Sequence, residues 1–73
     1  MDYINKKLTL DDGKKYIVIE QVELDNNIYL YLANSENEDE TTFVEIKNDL
    51  IEPIDKDLFT DKIFPLFVEK LSK

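Results

Sequence analysis

The sequence has 73 residues, of which 42% are apolar. It contains nine lysines and seventeen acidic residues, so the net charge is −8. A chain this short buries only about 60% of its unfolded surface and cannot be divided into two cores, so we expect a single domain over residues 1–73. Cys and His are absent, which excludes disulfides, thiol nucleophiles, imidazole bases and ordinary zinc sites.

The charge also narrows the class of partner. Nucleic-acid affinity comes largely from Lys and Arg, so this acidic surface predicts no direct DNA or RNA binding. Apolar runs are short, which predicts no membrane-spanning segment, and a cysteine-free domain of this size favours the cytoplasm. The acidic field would steer the chain toward a protein partner, including a basic one. The alternative is that the charge only keeps the protein soluble.

The first two strands follow from apolar alternation and a turn signal. Residues 8–10 alternate, and Asp12-Gly13 predicts a two-residue turn, which gives strands at about 5–10 and 14–24. A β-bulge near Glu20 and Gln21 would bring the apolar residues of the second strand to one face. Those residues are Ile17, Ile19, Val22 and Leu24.

The next turn sets the predicted register. Asp25-Asn26-Asn27 predicts a three-residue loop, followed by a strand at about 28–33. This loop length pairs Leu24 with Ile28 and places one apolar set on the core face: Val22, Leu24, Ile28, Leu30 and Leu32. Tyr29, Tyr31, Gln21 and Glu23 then lie on the opposite face.

The middle of the chain contains an acidic segment. Residues 34–40 have no apolar member and no periodicity, so they predict a solvated loop. A strand is expected at about 41–47, and an Asn48-Asp49 turn pairs Ile46 with Ile51. Pro53 closes a last short strand at about 50–53.

From Asp55 the apolar period becomes helical, with Phe59, Ile63, Phe67 and Leu71 on one stripe. Asp55 is expected to cap this region, which spans about 55–71. Because Pro65 cannot donate an i to i−4 hydrogen bond, a short helix near 55–60 and a second one ending near 71 are predicted. The predicted fold class is α+β, an antiparallel meander of four or five strands with one or two C-terminal helices packed on one face.

The order of these signals resembles a known family. Asp12-Gly13-Lys14-Lys15-Tyr16, the two long strands, the acidic segment and residues 50–55 leading into Phe59, Phe67 and Leu71 carry the resemblance. The chain is similar to the small acidic proteins of Gram-positive bacteria grouped as number 1292 in the domain-of-unknown-function series. Pro65 departs from that pattern, whose terminal helix generally runs uninterrupted. The resemblance implies a small cytosolic fold and no assigned activity.

The predicted register makes Tyr29 and Tyr31, flanked by Gln21 and Glu23, the sharpest candidate partner-binding surface. Tyrosine offers large contact area with a hydrogen-bonding tip, and is enriched at binding surfaces. Two alternatives stand beside this hypothesis. The helical region could cover the tyrosine face instead, or the tyrosines could be ordinary strand formers.

The acidic residues offer weaker chemistry. Glu36, Glu38, Asp39 and Glu40 form a candidate acidic patch, but they lack the ligand spacing of a calcium loop, so a solvated charge run is favoured over a metal site. Glu20 lies among apolar residues of the second strand, and two interpretations are open. It could act as a general acid, or it could be a carboxylate at the bulge that faces solvent, and the second interpretation is favoured. We expect no catalytic residue, no metal and no cofactor.

These observations favour a non-enzymatic protein-binding module, an adaptor or regulator that uses the tyrosine face. The alternative function is an acidic inhibitor, or nucleic-acid mimic, that occupies the basic groove of a nucleic-acid-handling protein. Salt dependence separates the two, because binding by charge weakens steeply with salt. The sequence assigns neither the partner nor an oligomeric state.

Overall fold

The computed structural model describes residues 2–72, which form one antiparallel sheet followed by one helical segment. The strands are β1 (Lys7–Thr9), β2 (Lys15–Leu24), β3 (Asn27–Asn34), β4 (Asn37–Lys47) and β5 (Leu50–Glu52), and they neighbour one another in chain order. The C-terminal helix runs through Lys56–Leu58, Phe59–Ile63 and Phe64–Leu71. The predicted α+β meander with a helix on one face is confirmed.

Short polar turns join the strands. The backbone φ angles of Asn48 and Asp49 are 52° and 66°, and two successive positive φ angles are typical of a type I′ hairpin turn. This turn pairs Ile46 with Ile51, as predicted. The β1–β2 turn differs from its prediction. It has three residues, 11–13, because the Leu10 N–H donates to the Lys14 carbonyl and Gly13 takes the positive φ of 79°.

The β2–β3 hairpin corrects the predicted register. Leu24 pairs with Asn27, so the loop is the two-residue Asp25-Asn26, with φ angles of 52° and 68°. Because side chains alternate along a strand, this one-residue difference exchanges the two faces of β3 relative to β2. Val22 and Leu24 therefore share a face with the tyrosines of β3, and Ile28, Leu30 and Leu32 lie on the other face.

Each face of the sheet carries its own core. The inner face holds a buried cluster, here the inner cluster, made of Tyr16, Val18, Leu30, Leu32 and Val44. The helix face packs Val22 and Tyr29 against Ile63 and Phe67 of the C-terminal helix. The predicted bulge is present between Val18 and Glu20, and it places Val22 on the helix face. Ile19, at the bulge itself, is 41% exposed.

The sheet curls around the inner cluster. Residues 9–12, at and after the end of β1, and residues 49–53, around β5, line one common space, although β1 and β5 are the two edge strands. In a flat sheet the edge strands would lie about 19 Å apart, at about 4.8 Å per strand. Curling therefore encloses one face, and the helix encloses the other.

Residues 34–40 do not form the predicted acidic loop. β3 extends to Asn34 and β4 begins at Asn37, which leaves a two-residue turn. The Asn34 Oδ1 accepts a hydrogen bond from the Glu36 N–H, and the Asn37 Oδ1 accepts one from the Asp39 N–H. Asn side chains thus support a hairpin that the apolar pattern could not reveal.

The C-terminal helix continues past Pro65, so the predicted break near residue 60 is wrong. Its start was predicted correctly, since the Asp55 carboxylate accepts hydrogen bonds from the Asp57 and Leu58 N–H groups, both at 3.0 Å. Phe59–Ile63 forms a π-helical turn in which the Phe64 N–H donates to the Phe59 carbonyl. Pro65 then occupies the first turn of a new α-helical segment, where a missing N–H costs little.

Candidate binding cleft

The tyrosines expected on an open face lie beneath the helix. Tyr29 is 2% exposed, and Tyr31 is half-buried. The Tyr31 ring stacks on Phe43 with centroids 4.7 Å apart, and Phe43 meets Phe67 at 5.0 Å. Burial raises the pKa of Tyr29, and the neighbouring Glu45 carboxylate raises it further. The prediction of an exposed tyrosine pair is wrong, and its alternative, a tyrosine face covered by the helical region, is what occurs.

Gln21 and Glu23 do not flank the tyrosines. Gln21 pairs with Leu30 on the inner face, and its Oε1 accepts a hydrogen bond of 2.7 Å from the Tyr3 N–H. Glu23 pairs with Ile28 and is exposed. The two-residue loop therefore separates these polar residues from the tyrosines. Glu20 is half-buried, and its Oε1 accepts the Gln21 N–H at 3.0 Å.

Glu40 separates from the rest of the predicted acidic patch. Glu36, Glu38 and Asp39 are exposed around the β3–β4 turn. Glu40 instead forms an ion pair of 3.0 Å with Lys14, accepts a hydrogen bond from the Tyr16 hydroxyl at 3.2 Å, and accepts another from the Asn34 amide at 3.2 Å. Its carboxylate therefore holds the β3–β4 hairpin against the start of β2.

Asp12 completes this polar network. The Tyr16 hydroxyl lies 3.0 Å from the Asp12 Oδ2, so its single proton is shared between two carboxylates. Burial raises the pKa of Tyr16 to about 12, and Asp12 and Glu40 contribute. The Lys14 side chain lowers the pKa of Glu40, and the Lys14 backbone N–H lowers that of Asp12. Both carboxylates are therefore ionised at neutral pH.

Within residues 2–72, no group of three or more acidic, His or Cys side chains is arranged to hold a metal ion. The Glu40 carboxylate is occupied by Lys14, Tyr16 and Asn34. The exposed acids of the β3–β4 turn therefore lack the partner that a four-carboxylate site would need.

The curled sheet leaves an open cleft between its two edges, here the β1–β5 cleft. It is lined by residues 9–12, 42–44 and 49–53, and has a volume of about 610 Å³. Leu10, Val44 and Ile51 provide an apolar floor that continues the inner cluster. Leu50 is among the residues that line the cleft, and 62% of its surface is exposed.

Four acidic residues are among those that line this cleft, Asp11, Asp12, Asp49 and Glu52, and no lysine of residues 2–72 is among them. The nearest cation of the polar network, Lys14, is engaged by Glu40. The cleft therefore combines an apolar floor with an excess of acidic residues. A group that carries an aliphatic stem and a positive end, such as a Lys or Arg side chain, complements both features.

The β1–β5 cleft was not predicted from the sequence. Its residues come from three separate segments that only the curl of the sheet brings together. One local signal existed, because Leu50 follows directly on the Asn48-Asp49 turn at the start of an edge strand, where a large apolar side chain has few neighbours to cover it.

Comparisons with known proteins add no relative. The chain matches no protein-family model, no curated protein and no solved structure. The resemblance to the acidic Gram-positive family therefore stays a prediction. Among residues 2–72, no helix has both the length and the apolar character needed to cross a bilayer.

Proposed function

We propose that this protein is a non-enzymatic binding module, an adaptor or regulator, whose β1–β5 cleft takes an extended segment of a partner protein that carries Lys or Arg side chains. The observation that supports the proposal is the lining of the cleft, which joins an exposed Leu50 and an apolar floor to four acidic residues. Apolar contact would supply affinity, and charge would select the partner and speed its approach.

We also propose that the β1–β5 cleft is not catalytic, because of the kinds of residue that line it. Its functional groups are carboxylates and the hydroxyls of Thr9 and Thr42, with no imidazole, thiol or amine among them to activate a nucleophile. Asp12, the carboxylate with a lowered pKa, is held by the Lys14 N–H and the Tyr16 hydroxyl. We place the protein in the cytoplasm, where a cysteine-free chain needs no disulfide support.

A titration followed by amide NMR tests the proposal. The probe is a short synthetic peptide of alternating lysine and valine, capped at both ends so that it carries only side-chain charge. We expect saturable shifts in the amides of Thr9, Thr42 and Leu50, which line the cleft. The apparent affinity should fall with added salt without vanishing, because apolar contact persists when charge is screened.

Two matched variants separate the cleft from general acidity. Asp11→Asn with Asp49→Asn and Glu52→Gln removes cleft charge, and Asn tolerates the positive φ of residue 49. Glu36→Gln with Glu38→Gln and Asp39→Asn removes the same charge from the exposed β3–β4 turn. The cleft variant should bind at least about tenfold more weakly, a change of about 1.4 kcal/mol, and the turn variant should bind almost normally.

The reverse result would contradict the proposal and favour the acidic inhibitor, whose binding would rest on the exposed acids of the turn. Absence of any saturable shift in the cleft amides would also contradict it.

A further inference from the structure

We propose that the partner segment binds as an added strand along the open edge of β4, and that its side chains alternate between basic and apolar. This inference rests on the proposed function and names the mode of recognition and the class of peptide. It starts from a mismatch in strand length, because β4 covers Asn37–Lys47 whereas β5 pairs only with Glu45, Ile46 and Lys47.

Along the rest of that edge, no strand formed by residues 2–72 lies beside β4. The Asn48-Asp49 turn makes Lys47 and Leu50 a hydrogen-bonded pair, so the N–H and C=O groups of residues 47, 45, 43 and 41 point away from β3. Within the described chain, no strand pairs with β4 on this side at Thr41 or Phe43. These main-chain groups are positioned as a template for another strand.

Phe43 supports this assignment. Its ring lies under the C-terminal helix, 4.7 Å from Tyr31 and 4.7 Å from Phe59, yet the residue lines the β1–β5 cleft. With the ring on the opposite face, the main chain of Phe43 is what remains to face the cleft. The cleft therefore has main-chain hydrogen-bonding groups along one wall.

Two grooves of different chemistry flank this edge. On the inner side lies the β1–β5 cleft, whose lining includes Asp11, Asp12 and Asp49. On the helix side lies a groove of about 420 Å³ that includes Ile54, Phe59 and one cation, Lys56, and no carboxylate. Successive side chains of a strand point to opposite faces, so an added strand would place alternate residues in the two grooves. Basic residues suit the first groove, and apolar residues suit the second.

The charge on the edge argues against a second copy as the occupant. Glu38 and Asp39 are exposed on β4, and each chain carries a net charge of −8. Pairing two β4 edges would bring like charges together, which is destabilising. A basic segment from another protein would not meet that repulsion. The charge on the β4 edge therefore disfavours a second copy of this chain and favours such a segment.

Methylation of peptide nitrogens tests strand addition without changing side-chain charge. We expect the peptide to pair with β4 in the antiparallel arrangement that β5 already adopts. A peptide residue opposite Phe43 then has its side chain on the same face of the sheet as Phe43 and directs its N–H toward β4. Those residues are the valines of the alternating lysine and valine peptide. N-methylation of the valines should weaken binding at least about tenfold, whereas N-methylation of the lysines should be tolerated. Hydrogen exchange at the Phe43 amide should also slow when the unmodified peptide binds.

The outcomes separate this inference from the proposed function. If both methylated peptides bind like the parent, or if the lysine-methylated peptide is the weaker one, antiparallel strand addition is overturned while binding in the cleft stands. If the parent peptide does not bind, both fail. A chain that dimerises in sedimentation experiments, with its Phe43 amide protected in the absence of peptide, would show that a second copy occupies the edge and would also overturn the inference.

Discussion

Val22 pairs with Tyr29 across the β2–β3 ladder, and both side chains are buried beneath the C-terminal helix. This pairing follows from the two-residue Asp25-Asn26 turn. It buries Tyr29 and half-buries Tyr31 beneath the helix, and the cleft that we propose as the partner site lies at the opposite, inner side of the sheet. A one-residue difference in a hairpin loop thus moves the candidate site from one face of the sheet to the other.

Tyr29→Ala should therefore unfold the protein rather than impair binding. Removing a buried aromatic ring costs about 3–5 kcal/mol, a large part of the stability of a small domain. Chemical denaturation should show this loss, and Glu23→Ala, which removes an exposed side chain from the neighbouring strand, should change stability by less than about 0.5 kcal/mol. If Tyr29→Ala is as stable as the wild type, the register described for β3 is wrong.

Two phenylalanines in one helical segment provide an internal comparison. Phe67 is 1% exposed in the core of the helix face, whereas Phe64 is 48% exposed. Phe67→Ala should cost about 3–5 kcal/mol, and Phe64→Ala should cost less than about 1 kcal/mol. Equal losses in thermal or urea unfolding would mean that the helix presents a different face to the sheet.

The elements of the fold were largely predictable because each has a local cause. The Asn48-Asp49 turn, the Asp55 cap and the bulge before Glu20 are each specified by a few adjacent residues. The β2–β3 register was not predictable in the same way. The sequence argument assumed one buried and one exposed face, but the curl of the sheet buries the second face as well, so apolar alternation could not choose between the two loop lengths.

Alkaline titration should detect Tyr16. Its folded pKa is about 12 against 10.0 for an ordinary tyrosine, so the unfolded chain ionises first as pH rises. The stability that Tyr16 contributes is therefore complete below pH 10 and is lost as pH rises from 10 through 12. Ultraviolet absorbance should show tyrosines that ionise late, and Tyr16→Phe should remove one of them and leave that of Tyr29. The stability of Tyr16→Phe should also fall less steeply between pH 10 and pH 12 than that of the wild type. A Tyr16 that ionises with its free-solution pKa would disprove the network.

The loss of stability at acid pH should depend on Glu40. Its pKa is lowered from 4.5, so its contribution to stability is present above pH 4.5 and is lost as pH falls through the folded value. Glu40→Gln should be less stable than the wild type at neutral pH and should lose less stability on acidification. Glu38→Gln, an exposed change on the same strand, is the control. Urea midpoints measured across the acid range would contradict this assignment if the two variants behave alike.

The candidate cleft could not be read from the sequence for a physical reason. Asp11 and Glu52 stand far apart in the chain, and only the curl that brings the edge strands onto one inner cluster makes them line one space. Net acidity was visible in composition, but its placement was not. The acidic run at residues 36–40 drew attention because it is continuous, although one of its members, Glu40, serves the fold.

Reversal of charge in the cleft tests the central claim most directly. Asp11→Lys with Glu52→Lys changes two acidic residues among those that line the cleft and avoids both the Tyr16 network and Asp49, which has a positive φ angle. The wild type should prefer the alternating lysine and valine peptide to one of alternating glutamate and valine, and the double variant, folded by circular dichroism, should invert or abolish that preference. If the variant keeps the wild-type preference in the same titration, the cleft does not bind the basic segment.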